Sequence, residues 1–199
     1  MKNLVKHQLS QTIATFEKVM VDEDLMTTVV EAGEITAKAM LSGRKLMVAG
    51  NGGSAADAQH LVAEFVSRLT VDRPAMRAIA LTVDSSILTA IGNDYSYDNV
   101  FARQIEALGQ KGDVFLAIST SGNSKNILKA LALCRELGII TVGYSGNSGG
   151  KMLPFCDYNV VIPSNVTMNI QECHLALEHI FCMIVECCYF GPEFGQQPK

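Results

Sequence analysis

Of the four histidines in this 199-residue chain, two stand where they could do chemistry. His60 and Glu64 are spaced i, i+4 in a segment whose pattern predicts a helix, so an imidazole and a carboxylate project from one helix face. At that spacing they can share a divalent metal, or make a weak surface contact and nothing more. A second group, Gln171, Glu172, His174 and His179, falls in a strongly apolar segment with Ile170, Leu175, Leu177, Ile180 and Phe181. Polar groups in so apolar a helix need partners, and a lone histidine there is ordinarily a satisfied core residue. Gln171 and His179 are eight positions apart, about 12 Å of rise and roughly 80° out of phase, so one straight helix does not aim both at one ion. Either Gln171 lies at a frayed helix start or two subunits contribute.

Three loops could meet these side chains: Gly50-Asn51-Gly52-Gly53-Ser54, Ser119-Thr120-Ser121-Gly122-Asn123-Ser124 and Ser145-Gly146-Asn147-Ser148-Gly149-Gly150. Each follows a short apolar run. Gly, Asn and Ser are what strand-to-helix turns require anyway, but in a parallel sheet all such turns share the carboxyl edge, where ligands bind beside helix amino termini. The first loop satisfies G-x-G-x-x-A through Ala55. The acid expected about 20 residues on, Asp72, lies before the next strand instead of after it, so dinucleotide binding ranks below phosphate-ester binding. The second loop puts four hydroxyls and a glycine at a strand-helix junction, with no lysine in Walker position. Hydroxyls and free first-turn amides can surround a phosphate monoester; a ligand-free turn rich in capping residues is the alternative.

The elements that must position these groups follow from periodicity. Residues 1–42 hold no proline and carry apolar residues at helical spacing, which predicts two helices parting around Val21 to Asp24. Strands are predicted at Lys45–Ala49, Arg77–Leu81, Asp113–Ser119, Ile139–Tyr144 and Tyr158–Ile162. Helices are predicted at Ser54–Leu69, Ser85–Ile91, Tyr95–Leu108, Lys125–Leu137 and Met168–Tyr189. The alternation implies one α/β domain over 1–199, a parallel sheet with helices on both faces. Residues 1–42 form a helical extension, and the Pro- and Gly-rich tail, 191–199, is expected to be flexible.

Composition sets limits. With 48% hydrophobic residues the chain can build one sizeable core, and 16 Lys+Arg against 20 Asp+Glu leave no basic stripe for nucleic acid. The first ten residues have no signal-peptide h-region, and the apolar run Ile180–Val185 is too short to span a bilayer, so no membrane association and a cytoplasmic location are expected. The six cysteines include no C-x-x-C pair and read as reduced, mostly buried thiols.

Taken in order, several motifs resemble the sugar-isomerase (SIS) domain family, and within it the bacterial phosphoheptose isomerases. Besides the first two loops, they are Asp57-Ala58-Gln59-His60 with Glu64, Arg73-Pro74, Gly92-Asn93-Asp94, Gly112-Asp113-Val114, Gly149-Gly150-Lys151-Met152, and Ile170-Gln171-Glu172 with His174 and His179. The resemblance covers nearly the whole chain. It implies a three-layer fold around a five-stranded parallel sheet, a homotetramer with contacts from the terminal helices, and one zinc ion per subunit on His60, Glu64, Gln171 and His179. It implies substrate contacts from Asn51, Gly52, Gly53, Asn93, Asp94, Ser119, Thr120, Ser121, Ser124 and Gln171, to which Ser54 of the first loop and Glu64 are added. The implied reaction converts D-sedoheptulose 7-phosphate to D-glycero-D-manno-heptose 7-phosphate, the entry step to heptoses of bacterial surface polysaccharides.

Such a ketose becomes an aldose through an enediol(ate), for which Glu64 is assigned as base between C1 and C2 and His179 as acid toward the oxygens. The family commonly has arginine where this chain has Asn169, which removes one basic group near the expected site. Non-catalytic SIS proteins, including a type that contacts the replication initiator, are the alternative; they typically lack the residues matching Glu64 and His179. An isomerase acting on an arabinose or hexulose phosphate is a third possibility.

Overall fold

The computed structural model describes residues 1–195. The two helices expected in the first 42 residues are α1 (Lys2–Met20) and α2 (Glu23–Leu41), parted at Val21 and Asp22, and the Asp22 carboxylate caps α2 at the amide of Leu25. The chain then alternates through β1 (Leu46–Ala49), α3 (Gly53–Val66), β2 (Ala78–Ala80), α4 (Ser85–Asp94), α5 (Ala102–Leu108), β3 (Val114–Ile118), α6 (Lys125–Leu137), β4 (Ile140–Gly146), β5 (Tyr158–Ile162) and α7 (Thr167–Phe190). The five strands form one parallel sheet in the order β2-β1-β3-β4-β5.

Strand alternation sorts the core into two layers. Leu46, Val48, Val114, Leu116, Val142 and Val160 face α2, α3 and α7, with α1 lying outside them. Met47, Ala49, Phe115 and Ala117 face the other way, onto Phe101, Ile105, Ile127, Leu131 and Cys134 of the α5–α6 side. The order reverses between β1 and β3. That switch point opens a crevice at the carboxyl ends of the two strands, where the first two polar loops emerge.

The expected helix over Tyr95–Leu108 is broken. A 3-10 turn at Tyr97–Asn99 precedes α5, because Asn99 donates to Ser96 Oγ (3.0 Å) and to that local bond the helical ladder yields. Helix α4 runs on to Asp94 and α3 stops at Val66, three residues short of the expected end. Strand β4 reaches Gly146, which brings Ser145 into the sheet, and Gly150–Phe155 forms a second 3-10 turn. In the tail, Pro192–Gly195 makes a further turn whose Phe194 packs on Phe190, ring centroids 5.2 Å apart; residues 196–199 of the expected flexible segment lie outside the described residues.

Helix α7, at 24 residues and a mean hydropathy of 1.4 in its most apolar window, is long and apolar enough to cross a membrane, which the short run Ile180–Val185 does not suggest. In this fold its apolar side is core: Ile170, Cys173, Leu177, Phe181, Cys182 and Val185 are buried against the sheet, α2 and α3. All six cysteines are free thiols; Cys134, Cys173 and Cys182 are buried, Cys156 and Cys187 half-buried and Cys188 exposed.

Candidate active site

Helices α3 and α7 meet beside the carboxyl edge, and their contact closes the gap between two groups far apart in the chain. His60 Nε2 lies 2.8 Å from His179 Nε2, the rings nearly perpendicular. Glu64 Oε1 is 3.6 Å from His60 Nε2, and ligand atoms of His60, Glu64 and His179 all fall within 4.8 Å of one another. Two neutral imidazole nitrogens turned lone pair to lone pair would repel. The arrangement therefore calls for a shared proton or a cation, and two imidazoles with a carboxylate are a donor set suited to zinc.

Gln171 belongs to a different group. It sits inside the regular first turns of α7, so a frayed helix start does not account for it. Its Nε2 donates to both carboxylate oxygens of Asp57 on α3 (3.2 and 3.0 Å), which leaves Oε1 as the free end of the amide. The amide presses on Gly53: a Cβ there would lie 2.6 Å from Gln171 Oε1. Burial pushes the Asp57 carboxyl up, against the pull of the Gln171 hydrogen bonds and the nearby His60.

The first loop supplies α3's amino end. Gly52 takes φ +57° as the helix N-cap, a conformation that favours glycine. Asn51 makes a reciprocal amide pair with Asn126 of α6 (2.9 and 2.8 Å) and accepts from the Tyr97 hydroxyl at 3.3 Å. Ser54 is buried in the first turn, so Asn51, Gly52 and Gly53 are the loop's accessible members. In the second loop Ser119 Oγ and Ser124 Oγ are 3.0 Å apart at the start of α6, and Ser121 Oγ accepts from the Asn123 amide at 3.2 Å. Gly122 takes φ +63°, and a Cβ on it would strike the Gly149 backbone; Met152 N-H donates to its carbonyl at 3.0 Å. The third loop thus braces the second. Thr120 is half-buried between them.

Asn93 and Asp94 end α4, both exposed, with Asn93 donating to Asp94 Oδ1 at 2.8 Å. Asn169 faces away from the site: it is buried and accepts from Gln8 of α1 at 2.9 Å, so the arginine-to-asparagine difference falls at the α1–α7 contact. His174 is a core histidine, as its apolar surroundings suggested: Nε2-H donates to the Ser145 carbonyl at 3.0 Å, Nδ1 is buried without a partner among the described residues, and burial lowers its pKa to about 4. Its neighbour one turn on, Glu178, is buried, and burial raises it to about 8, with Asp57 adding to the shift.

Over residues 10–146, the chain matches the profile described as the SIS domain. The chain belongs to the SIS domain family. Within it, the chain is 54% identical over 198 residues to phosphoheptose isomerase 2 of Campylobacter jejuni, covering 98% of each chain. It is 48% identical over 194 residues to the phosphoheptose isomerase of Aneurinibacillus thermoaerophilus, again at 98% of each. Among solved structures, that of the phosphoheptose isomerase of Neisseria gonorrhoeae superposes with a TM-score of 0.87 at 36% identity, over 93% of this chain and 98% of the other. Identities of this size over full length place this SIS protein among the phosphoheptose isomerases, and so among sugar-phosphate isomerases.

Asn126, Tyr97 and Asp57 are site neighbours that residue spacing did not single out as ligand contacts. Asn126 could have been noticed as a polar residue on the inner face of α6, one turn from the serine loop. Tyr97 carries no such signal, because the turn that delivers it interrupts an expected helix.

Proposed function

We propose that the protein converts D-sedoheptulose 7-phosphate to D-glycero-D-manno-heptose 7-phosphate in the cytoplasm. The observation that carries this reading is the meeting of Glu64, His60 and His179 at the α3–α7 contact, beside two polar loops at the sheet's switch point. The phosphate sits on the hydroxyls of Ser119, Thr120, Ser121 and Ser124 and on the first-turn amides of α6. Asn51, Gly52, Gly53, Asn93, Asp94 and the Oε1 of Gln171 hold the sugar hydroxyls, which fixes C1 and C2 near Glu64. Glu64 takes the proton from C1 as the C2 carbonyl oxygen is protonated from His179, giving the enediol(ate). The same proton returns from Glu64 to C2 while the C1 hydroxyl gives its proton to His179, which leaves the aldehyde at C1 and restores the acid.

His60, Glu64 and His179 of one chain, with Gln171 from a neighbouring subunit, would hold a zinc ion, which supplies Lewis-acid polarisation of the sugar oxygens. Glu64 has two carboxylate oxygens, so ligation by one leaves the other free to carry a proton. Gln171 and His179 stand eight positions apart on regular helix, and this supports a ligand set shared between subunits. So do the exposed apolar side chains: Leu4, Val5, Leu9 and Ile13 on α1, each more than half exposed, and Met168, Leu175 and Ile180 around Gln171 and His179. Burying both sets in a homotetramer would close the site.

The test is turnover of C5, C6 and C7 ketose phosphates by the purified protein. Selective turnover of the C7 substrate is expected; preference for a C5 or C6 ketose phosphate would replace the substrate assignment.

A further inference from the structure

Arg73 lies in the connection between α3 and β2, and its guanidinium is fully buried. Nη2 donates to the backbone carbonyl of Glu64 at 2.6 Å, and Nη1 to those of Phe65 (2.7 Å), Pro74 (3.1 Å) and Ser67 (3.3 Å). Glu64 and Phe65 belong to the last turn of α3 and Ser67 is its C-cap, so three of these four are helix-end carbonyls that an α-helix cannot satisfy itself, and a cation there also suits the helix dipole. Nε and Nη2 both donate to Oε1 of Glu186 on α7, at 2.8 and 2.6 Å. Glu186 is seven residues beyond His179, two turns along the same side of the helix. One buried ion thus ties the peptide of Glu64 to the helix that carries His179. Directly beneath, Phe65 meets Phe181 edge to face, centroids 6.1 Å apart.

A buried ion pair is a weak source of stability, since an apolar pair of similar volume often serves as well or better. What an apolar pair cannot do is grip four carbonyls and a carboxylate in one fixed geometry. We propose that Arg73 and Glu186 are positioning residues for the reaction: a buried clamp that fixes the separation of Glu64 and His60 on α3 from His179 on α7. The proposal rests on the isomerase reading for its kinetic consequence and on the histidine-carboxylate geometry alone for its effect on metal binding.

The experiment measures kcat, KM, the thermal midpoint and the zinc dissociation constant of the apoprotein in two variants. Glu186→Gln keeps a neutral acceptor and leaves the cap on α3 in place, so it should fold. The double variant Arg73→Met, Glu186→Leu removes both charges together. In Glu186→Gln, kcat is expected to fall about tenfold with KM within twofold, and zinc to bind about tenfold more weakly, the usual range for loss of an outer partner. In the double variant kcat is expected to fall about a hundredfold, the scale of a 1 Å misplacement, even if its thermal midpoint equals that of the wild type. Wild-type kcat and zinc affinity in Glu186→Gln, or kcat recovering with stability in the double variant, would overturn the clamp. If the wild type fails to turn over sedoheptulose 7-phosphate, the proposed function falls and the zinc constants still decide the clamp.

Discussion

Gly53→Ala separates activity from stability. Gly53 opens α3 and is not among the residues with positive φ, so alanine is compatible with the backbone and improves helix propensity by up to about 1 kcal/mol. The new Cβ, however, would lie 2.6 Å from Gln171 Oε1 and 2.8 Å from its Cδ, closer than real contacts allow. The obstacle is the end of a flexible side chain, so Gln171 moves and the helix survives. Moving it breaks the bonds from Nε2 to Asp57 and carries Oε1 off its position. A hydrogen bond to a charged group is worth about 1.5–3 kcal/mol, or roughly 10- to 150-fold in rate if the transition state feels it. The expected result is a thermal midpoint equal to or above that of the wild type together with a kcat/KM lowered about 10- to 150-fold in a coupled isomerase assay. Wild-type kcat/KM in Gly53→Ala would refute the placement of Gln171 in the site, and a collapse of the fold would refute the account of what yields.

Glu64→Gln and His179→Ala are each expected to lower kcat by about 10²–10⁴-fold, the usual contribution of a positioned acid or base, and to elute from size-exclusion chromatography at the wild-type volume. Elemental analysis of unchelated, active protein should find about one zinc per subunit, and chelation should remove activity that zinc restores; active protein free of metal would remove zinc from the account. For His174 the folded pKa of about 4 lies below its ordinary 6.5, so the unfolded chain takes up the proton first as pH falls. Above pH 6.5 both states are neutral; between 6.5 and about 4 the fold should lose up to about 3 kcal/mol, and the loss levels off below that. Denaturant midpoints for the wild type and His174→Gln across pH 4–7 check this, and identical pH slopes would count against it.

Much of the architecture was legible because the buried strands announce themselves. Leu46–Ala49, Val114–Ile118 and Ile140–Gly146 are short apolar runs ending in Gly, Asn or Ser, and only a parallel sheet with both faces covered accommodates such runs in alternation with helices. Helix ends were less legible: α3 stops at Val66 because a buried arginine from the following segment takes its last carbonyls, an event that local pattern does not encode. The same limit applies in the site. His60 and His179 are 119 residues apart, Gln171 and Asp57 114, and Arg73 and Glu186 113, so their pairing is a property of the α3–α7 contact and not of any window of sequence. Family resemblance named the expected site residues before the fold showed that His60, Glu64 and His179 meet, and it did not name Asn126 or Tyr97.

Isomerisation of sedoheptulose 7-phosphate in deuterium oxide, followed by proton and carbon NMR, tests the central claim most directly. A base that removes the C1 proton and returns it to C2 predicts appearance of the aldose 7-phosphate, with any solvent deuterium at C2 of the product and absent when Glu64 is replaced by Gln. No aldose from the C7 substrate, or the same conversion in Glu64→Gln, would contradict it.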